Sequence, residues 1–255
     1  MFMPGLVSIT FRKLTPEEIV ALCLKAGVEG IEWGGDIHCP HGDVSRARKV
    51  GDLTRNSGLI VAAYGSYYRL GGGGRNCPDF DDVLASAVAL GAPTIRVWAG
   101  AKGSNESDPG ERALIVDDGL RVAELARKRG MTICLEYHAN TLTDTTDSVR
   151  RLMDELDNPN IEFLWQPSDG DSVALSAQRL LEVLPRLRNV HTFQWRPPLE
   201  RRPLAEGEAA WRSYINIIRE SGRTADFLLE FVVNDSPDQF LEDAATLRGW
   251  LNEPA

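Results

Sequence analysis

Eight short runs rich in Val, Ile, Leu and aromatic residues recur along the chain, each followed by turn residues and then by a stretch of helical periodicity. The runs cover 6–10, 28–33, 59–64, 94–98, 132–137, 161–166, 189–194 and 227–232. Between them, apolar residues fall three and four apart, as in Ile19, Leu22, Cys23 and Ala26, or Trp211, Tyr214, Ile215 and Ile218. Only the segment 43–57, after the second run, lacks a clear stripe. Thr15-Pro16-Glu17-Glu18 has the form of an N-cap, a first-turn proline and a capping-box glutamate. Gly27, Gly58, Gly91, Gly130 and Gly222 stand where helices should stop before the next strand.

Eight strand-then-helix units in 255 residues match a (β/α)8 TIM barrel, an α/β fold in which each strand is buried and each helix covers the outside. One domain over residues 1–255 is expected. A doubly wound open sheet would usually carry a Gly-rich phosphate loop at its first strand-to-helix turn, and Ile9-Thr10-Phe11-Arg12-Lys13 has none.

The net charge of −9, from 28 Lys and Arg against 37 Asp and Glu, repels phosphate backbones and anionic lipid, so neither nucleic acid nor membrane is an expected partner. The N-terminus has no basic start or long apolar core of a secretion signal, and no apolar run reaches the roughly 18 residues of a membrane span. These features predict a soluble cytoplasmic protein, and a homo-oligomer is compatible with them. The four cysteines form no C-x-x-C pair and read as reduced thiols.

In such barrels the C-terminal strand ends make the active site. Four polar residues close four consecutive strands: Glu136 on the fifth, Gln166 on the sixth, His191 on the seventh and Glu230 on the eighth. A carboxylate ending an apolar strand loses hydration worth several kcal/mol unless a cation or strong donors face it. Oxygen ligands with one imidazole suit a divalent Mn, Mg, Co or Zn ion. Nearby, Trp33, His38 and Tyr64 follow or end the second and third strands, His138 shares the face of Glu136, and Arg196 follows the seventh strand. These five are the expected substrate contacts. Tyr67, Tyr68 and Trp98 offer further ring faces, while Arg96, buried in a strand, calls for a glutamate partner within the barrel.

The whole chain resembles the xylose isomerase-like TIM barrels, the sugar phosphate isomerase/epimerase superfamily, whose usual ligands are Glu, Asp, His and Glu on the last four strands. Glu136, His191 and Glu230 match this pattern. Gln166 stands where an Asp is expected, with Asp169 three residues later as an alternative ligand, and Gln194 replaces an acidic residue common in the family. The resemblance implies a metal-dependent isomerase or epimerase acting on a carbohydrate, whether sugar, sugar acid or cyclitol ketone, with Glu136 and Glu230 as the acid/base pair. A lyase or dehydratase shares every one of these residues, and a non-catalytic sugar-binding barrel is the reading outside enzymes. The endonuclease branch of the superfamily is disfavoured by the charge and by the absence of His on the third strand.

Overall fold

The computed structural model describes residues 2–74 and 76–253; Met1, Arg75, Pro254 and Ala255 lie outside the described residues. Eight parallel strands close into a barrel in the order β1-β10-β7-β6-β5-β4-β3-β2. They are β1 (Met3–Val7), β2 (Gly30–Gly34), β3 (Ile60–Arg69), β4 (Thr94–Trp98), β5 (Thr132–Glu136), β6 (Ile161–Trp165), β7 (Leu187–Thr192) and β10 (Asp226–Leu229). The helices α1 (Pro16–Ala26), α2 (Val44–Asn56), α3 (Phe80–Leu90), α4 (Pro109–Arg127), α5 (Thr146–Glu155), α6 (Val173–Val183), α7 (Glu208–Glu220) and α8 (Pro237–Asn252) follow the strands in turn. Among the described residues no helix is long and apolar enough to cross a membrane.

Local sequence explains the element ends. Thr15 caps α1, its hydroxyl accepting from Glu18 N–H at 3.3 Å while the Glu18 carboxylate accepts from Thr15 N–H at 2.7 Å. Such a cap contributes about 1 kcal/mol. Gly27 ends the helix at φ 66°, a conformation in which a Cβ would be strained. The weak stripe of 43–57 nevertheless forms α2, started by the Asp43 side chain on Arg46 N–H and packed through Ala47, Val50 and Thr54. β1 starts earlier than expected and takes in Pro4 and Gly5, residue types that usually lie outside strands. A side chain at residue 5 would sit 2.6 Å from the Gly30 carbonyl oxygen, so glycine permits the close approach of β1 and β2.

The main core lies between barrel and helices. Alternate strand residues point outward into it: Ile31 and Trp33 from β2, Ile133 and Leu135 from β5, Phe163 and Trp165 from β6. Trp165 packs edge-on against Trp211 and Tyr214 of α7, with centroids 6.2 and 5.0 Å away. Inside the barrel the apolar cluster is small, with Val7, Ile9, Ala62 and Leu228 at its centre, and polar residues occupy the remainder. All four cysteines are free.

The segment 195–202 is mostly an antiparallel hairpin of β8 (Gln194–Arg196) and β9 (Glu200–Arg202), turning through a cis Pro197–Pro198 bond. It is tied to the β6 loop, where Leu199 N–H donates to Asp169 at 3.2 Å, and to the β10 loop, where Arg201 pairs with Asp235 at 2.5 Å.

Candidate active site

Inward-facing positions of β2, β4, β5 and β7, and the residue that follows β10, bring Glu32, Arg96, Glu136, His191 and Glu230 together at the C-terminal end of the barrel. All five are buried. Arg96 on β4 donates through Nε to Glu32 Oε1 at 2.9 Å and through Nη1 to Glu136 Oε2 at 2.6 Å. Trp98, two residues on, donates Nε1–H to the same Glu136 oxygen at 2.5 Å. Gln166 donates its amide to Glu136 Oε1 at 3.0 Å and to the Tyr137 carbonyl at 3.1 Å. Glu136 is therefore held by three donors spread over both oxygens. Glu230 is not: its one charged partner among the described residues is His191, whose Nδ1 lies 3.3 Å from Oε2.

The electrostatics follow from this layout. Burial pushes the Glu32 carboxyl up, but the charges of His191 and Arg96 outweigh it and take the group down to about 2. Burial likewise pushes Glu136 up, and Arg96 followed by His191 reverses the shift to below the ordinary value. For His191 burial favours the neutral ring, and Glu230 and Glu32 overcome it, raising the group to about 10. A guanidinium paired with two carboxylates is the arrangement that tolerates burial, since each desolvated charge keeps directed partners.

A cavity of about 420 Å³ opens above this cluster, with Arg96, Glu136, Gln166 and Glu230 toward its floor and Tyr67, Trp98, His138, Phe193, Trp195, Leu199 and Phe231 around its walls. Arg12 stands at its mouth, bonded to Asp36 and Tyr67, each at 3.0 Å. Phe231, next after Glu230, holds φ 54°, a conformation bulky residues rarely enter. It is maintained by its N–H on Thr10 Oγ1 at 3.2 Å and by Arg201 stacked over its ring at 5.0 Å.

The structure brings together Glu136, Gln166, His191 and Glu230, and places His138 in the cavity wall, its ring 5.5 Å from that of Trp98. The other expected substrate contacts lie elsewhere. Trp33 and Tyr64 occupy strand positions that face the helices: Trp33 Nε1 donates to Thr54 on α2, and the Tyr64 hydroxyl donates to the Cys39 carbonyl. His38 is fully buried between the Ser8 hydroxyl and the Leu14 carbonyl. Arg196 is 59% exposed beside Glu200 and Glu206, outside the cavity lining. None of these four lines the cavity, because proximity to a strand end does not fix which way a side chain turns. Arg96 has the glutamate partners expected of it. Glu32, Arg12 and the hairpin's Trp195 were missed; Glu32 carried the same signal as Glu136, a carboxylate one residue before the end of an apolar run.

Among the described residues no three His, Cys, Asp or Glu side chains are gathered into a closed metal cage. The set formed by the cavity-lining Glu136 and Glu230 with His191 buried beneath them is looser, with His191 Nδ1 3.3 Å from Glu230 and 4.0 Å from Glu136. It still fits a divalent cation in two respects. His191 Nδ1 is buried without a hydrogen-bond partner while the opposite ring nitrogen faces a carboxylate, the usual arrangement of a ligating histidine. With His191 neutral, as a ligand must be, three carboxylates and one guanidinium leave two formal negative charges, which a divalent ion balances.

Among relatives, a 3-dehydroshikimate dehydratase of Bacillus anthracis is 41% identical over 69 residues, 27% of this chain and 25% of that protein. An inosose dehydratase of Geobacillus thermodenitrificans is 33% identical over 82 residues, 31% of this chain and 26% of that protein. The matched stretch spans about a quarter of the length of these relatives. Solved structures of the same fold include a probable 3-DHS dehydratase from Bacillus anthracis, at TM-score 0.75 and 22% identity over 97% of this chain and 99% of that one. A 3-keto-D-glucoside 4-epimerase from E. coli superposes at TM-score 0.74 and 18% identity over 98% and 100%. A barrel from Mycobacterium smegmatis, solved in complex with magnesium, does so at 0.70 and 17% over 98% and 97%. With a family model matching residues 20–250, this chain belongs to the xylose isomerase-like TIM barrel family.

Proposed function

We propose that the protein is a metal-dependent dehydratase of a hydroxylated keto substrate, a ring compound of the sugar or cyclitol class. The carrying observation is the inequality of the two glutamates. Glu136 accepts from Arg96, Trp98 and Gln166 on both oxygens, whereas Glu230 has His191 alone as charged partner among the described residues. A carboxylate held by three donors is a poor base, because each donor stabilises the ionised form. Glu230 is then the single acid/base group. The dehydratase names of the two relatives support the same class of reaction.

His191 and Glu136, with the Gln166 amide oxygen, would hold the divalent ion, which would supply a Lewis acid toward the substrate's carbonyl oxygen. Glu230 takes the proton from the carbon beside that carbonyl. The electron pair of the broken C–H bond forms the new double bond as the hydroxyl on the next carbon departs, and Glu230 returns its proton to that hydroxyl as water. Arg96 and Trp98 keep Glu136 ionised and immobile throughout. The aromatic wall of Tyr67, Trp98, Trp195 and Phe231 suits a ring with an apolar face and becomes flatter contact as the ring gains unsaturation.

A second reading, a two-base epimerase, is favoured by the fact that Glu136 and Glu230 line the same cavity. Incubation with a panel of cyclic and open-chain keto sugars in deuterated water separates the two. Dehydration gives an unsaturated ketone that has lost one water; epimerisation keeps the mass apart from one solvent deuteron. Glu230→Gln is expected to lower turnover by about 10²–10⁴-fold with the fold intact, and near wild-type activity in that variant overturns its assignment.

A further inference from the structure

Glu32 has no place in the chemistry just described, yet it is fully buried and uses both carboxylate oxygens on groups that do. Oε2 faces His191 Nε2 at 3.1 Å and Oε1 accepts from Arg96 Nε at 2.9 Å, the same guanidinium that reaches Glu136 through Nη1. In the barrel, β2 and β7 are separated by β1 and β10, so the Glu32–His191 contact crosses the interior rather than following the sheet.

An ionised carboxylate can only accept, so the ring nitrogen facing it must carry a proton. A ligating histidine is neutral, and with its proton kept on Nε2 the lone pair of His191 is on Nδ1, the atom that is buried, unpartnered and turned toward Glu230 and Glu136. Space for this arrangement comes from β3. A Cβ at Gly65 would lie 2.6 Å from Glu32 Oε1 and 2.9 Å from Arg96 Nη2, so any side chain there displaces the pair. Gly65 has no positive φ to require glycine, which leaves the Glu32–Arg96 pair as the demand it meets.

We propose that Glu32 is the positioning residue of the site: it selects the His191 tautomer that presents Nδ1 to a divalent cation and, through Arg96, fixes the carboxylate of Glu136 beside it. This rests on the reading that the site holds such a cation. The test measures Mn²⁺ affinity by calorimetry or electron paramagnetic resonance, so it does not depend on knowing the substrate. Wild type, Glu32→Gln and Gly65→Ala are compared at one pH, with melting temperatures alongside. Both variants are expected to bind Mn²⁺ about 10–100-fold more weakly than wild type. Gly65→Ala changes no charge and no group of the site, and the atoms it would meet are the far ends of two side chains, so it serves where Glu32→Gln does not fold. A fall in melting temperature with unchanged Mn²⁺ affinity in the folded variants reduces Glu32 to a structural ion pair and overturns the inference. Absence of Mn²⁺ binding by wild type overturns it together with the metal reading, whereas tight binding by wild type and by both variants overturns the positioning role alone.

Discussion

Gln166 donates its side-chain amide to Glu136 Oε1 at 3.0 Å, so the residue standing where relatives of this family are expected to carry Asp acts here as a neutral donor to its neighbour. Replacing it by Asp substitutes a repulsion for that hydrogen bond. In chelator-treated protein, Gln166→Asp is expected to lower stability by about 1–3 kcal/mol in urea titration. With an added ligand charge, Mn²⁺ binding should tighten on the order of tenfold. Asp169 lines the same cavity but is engaged by Leu199 N–H, so Asp169→Asn should leave the affinity unchanged. Loss of metal in Asp169→Asn would make that residue the ligand instead of Gln166.

Arg96 carries the only guanidinium between Glu32 and Glu136 among the described residues, at 2.9 and 2.6 Å. Arg96→Met leaves two buried carboxylates facing each other without their cation. The expected cost is about 3–5 kcal/mol of unfolding free energy, read from denaturant midpoints. Arg96→Lys should recover only part of it, since one ammonium cannot reproduce two directed N–H contacts. A variant within about 0.5 kcal/mol of wild type would show the pair to be dispensable.

Acid should loosen the same cluster. Glu32 has a folded-state value of about 2, below its ordinary 4.5, so its contribution to stability is complete above 4.5 and is lost as the pH falls toward 2. In metal-free protein, the stability difference between wild type and Glu32→Gln is therefore expected to shrink steadily over that interval. A constant difference from pH 6 to pH 2 contradicts the linkage.

Metal removal should separate activity from folding. The apolar layer between barrel and helices, with Trp165, Trp211, Phe163 and Phe227 fully buried in it, makes no use of the cavity floor. Dialysis against a chelator is expected to abolish turnover while the far-ultraviolet circular dichroism stays unchanged, and Mn²⁺, Co²⁺ or Mg²⁺ should restore it. Full activity in verified metal-free protein contradicts the metal mechanism.

Periodicity along the sequence determined the eight strand-then-helix units, the capped start of α1 at Thr15, and the four polar positions closing β5, β6, β7 and β10 or their loops. Those are local properties: a strand repeats every two residues and a helix every 3.6, and the turn residues between them report on the backbone alone. The same period of two also carried the inward placement of His138 after Glu136. It could equally have excluded Trp33, adjacent to Glu32 and hence on the opposite face. Only the tertiary structure decided which inward-facing residues meet. Glu32 and His191 are 159 positions apart and on strands that do not pair, and Trp195 reaches the cavity on a hairpin held by Asp169 and Arg201. Alternation tells which side of a strand a residue faces, but the stagger and closure of the barrel set the level at which it faces another strand's residue. That level depends on all eight strands at once.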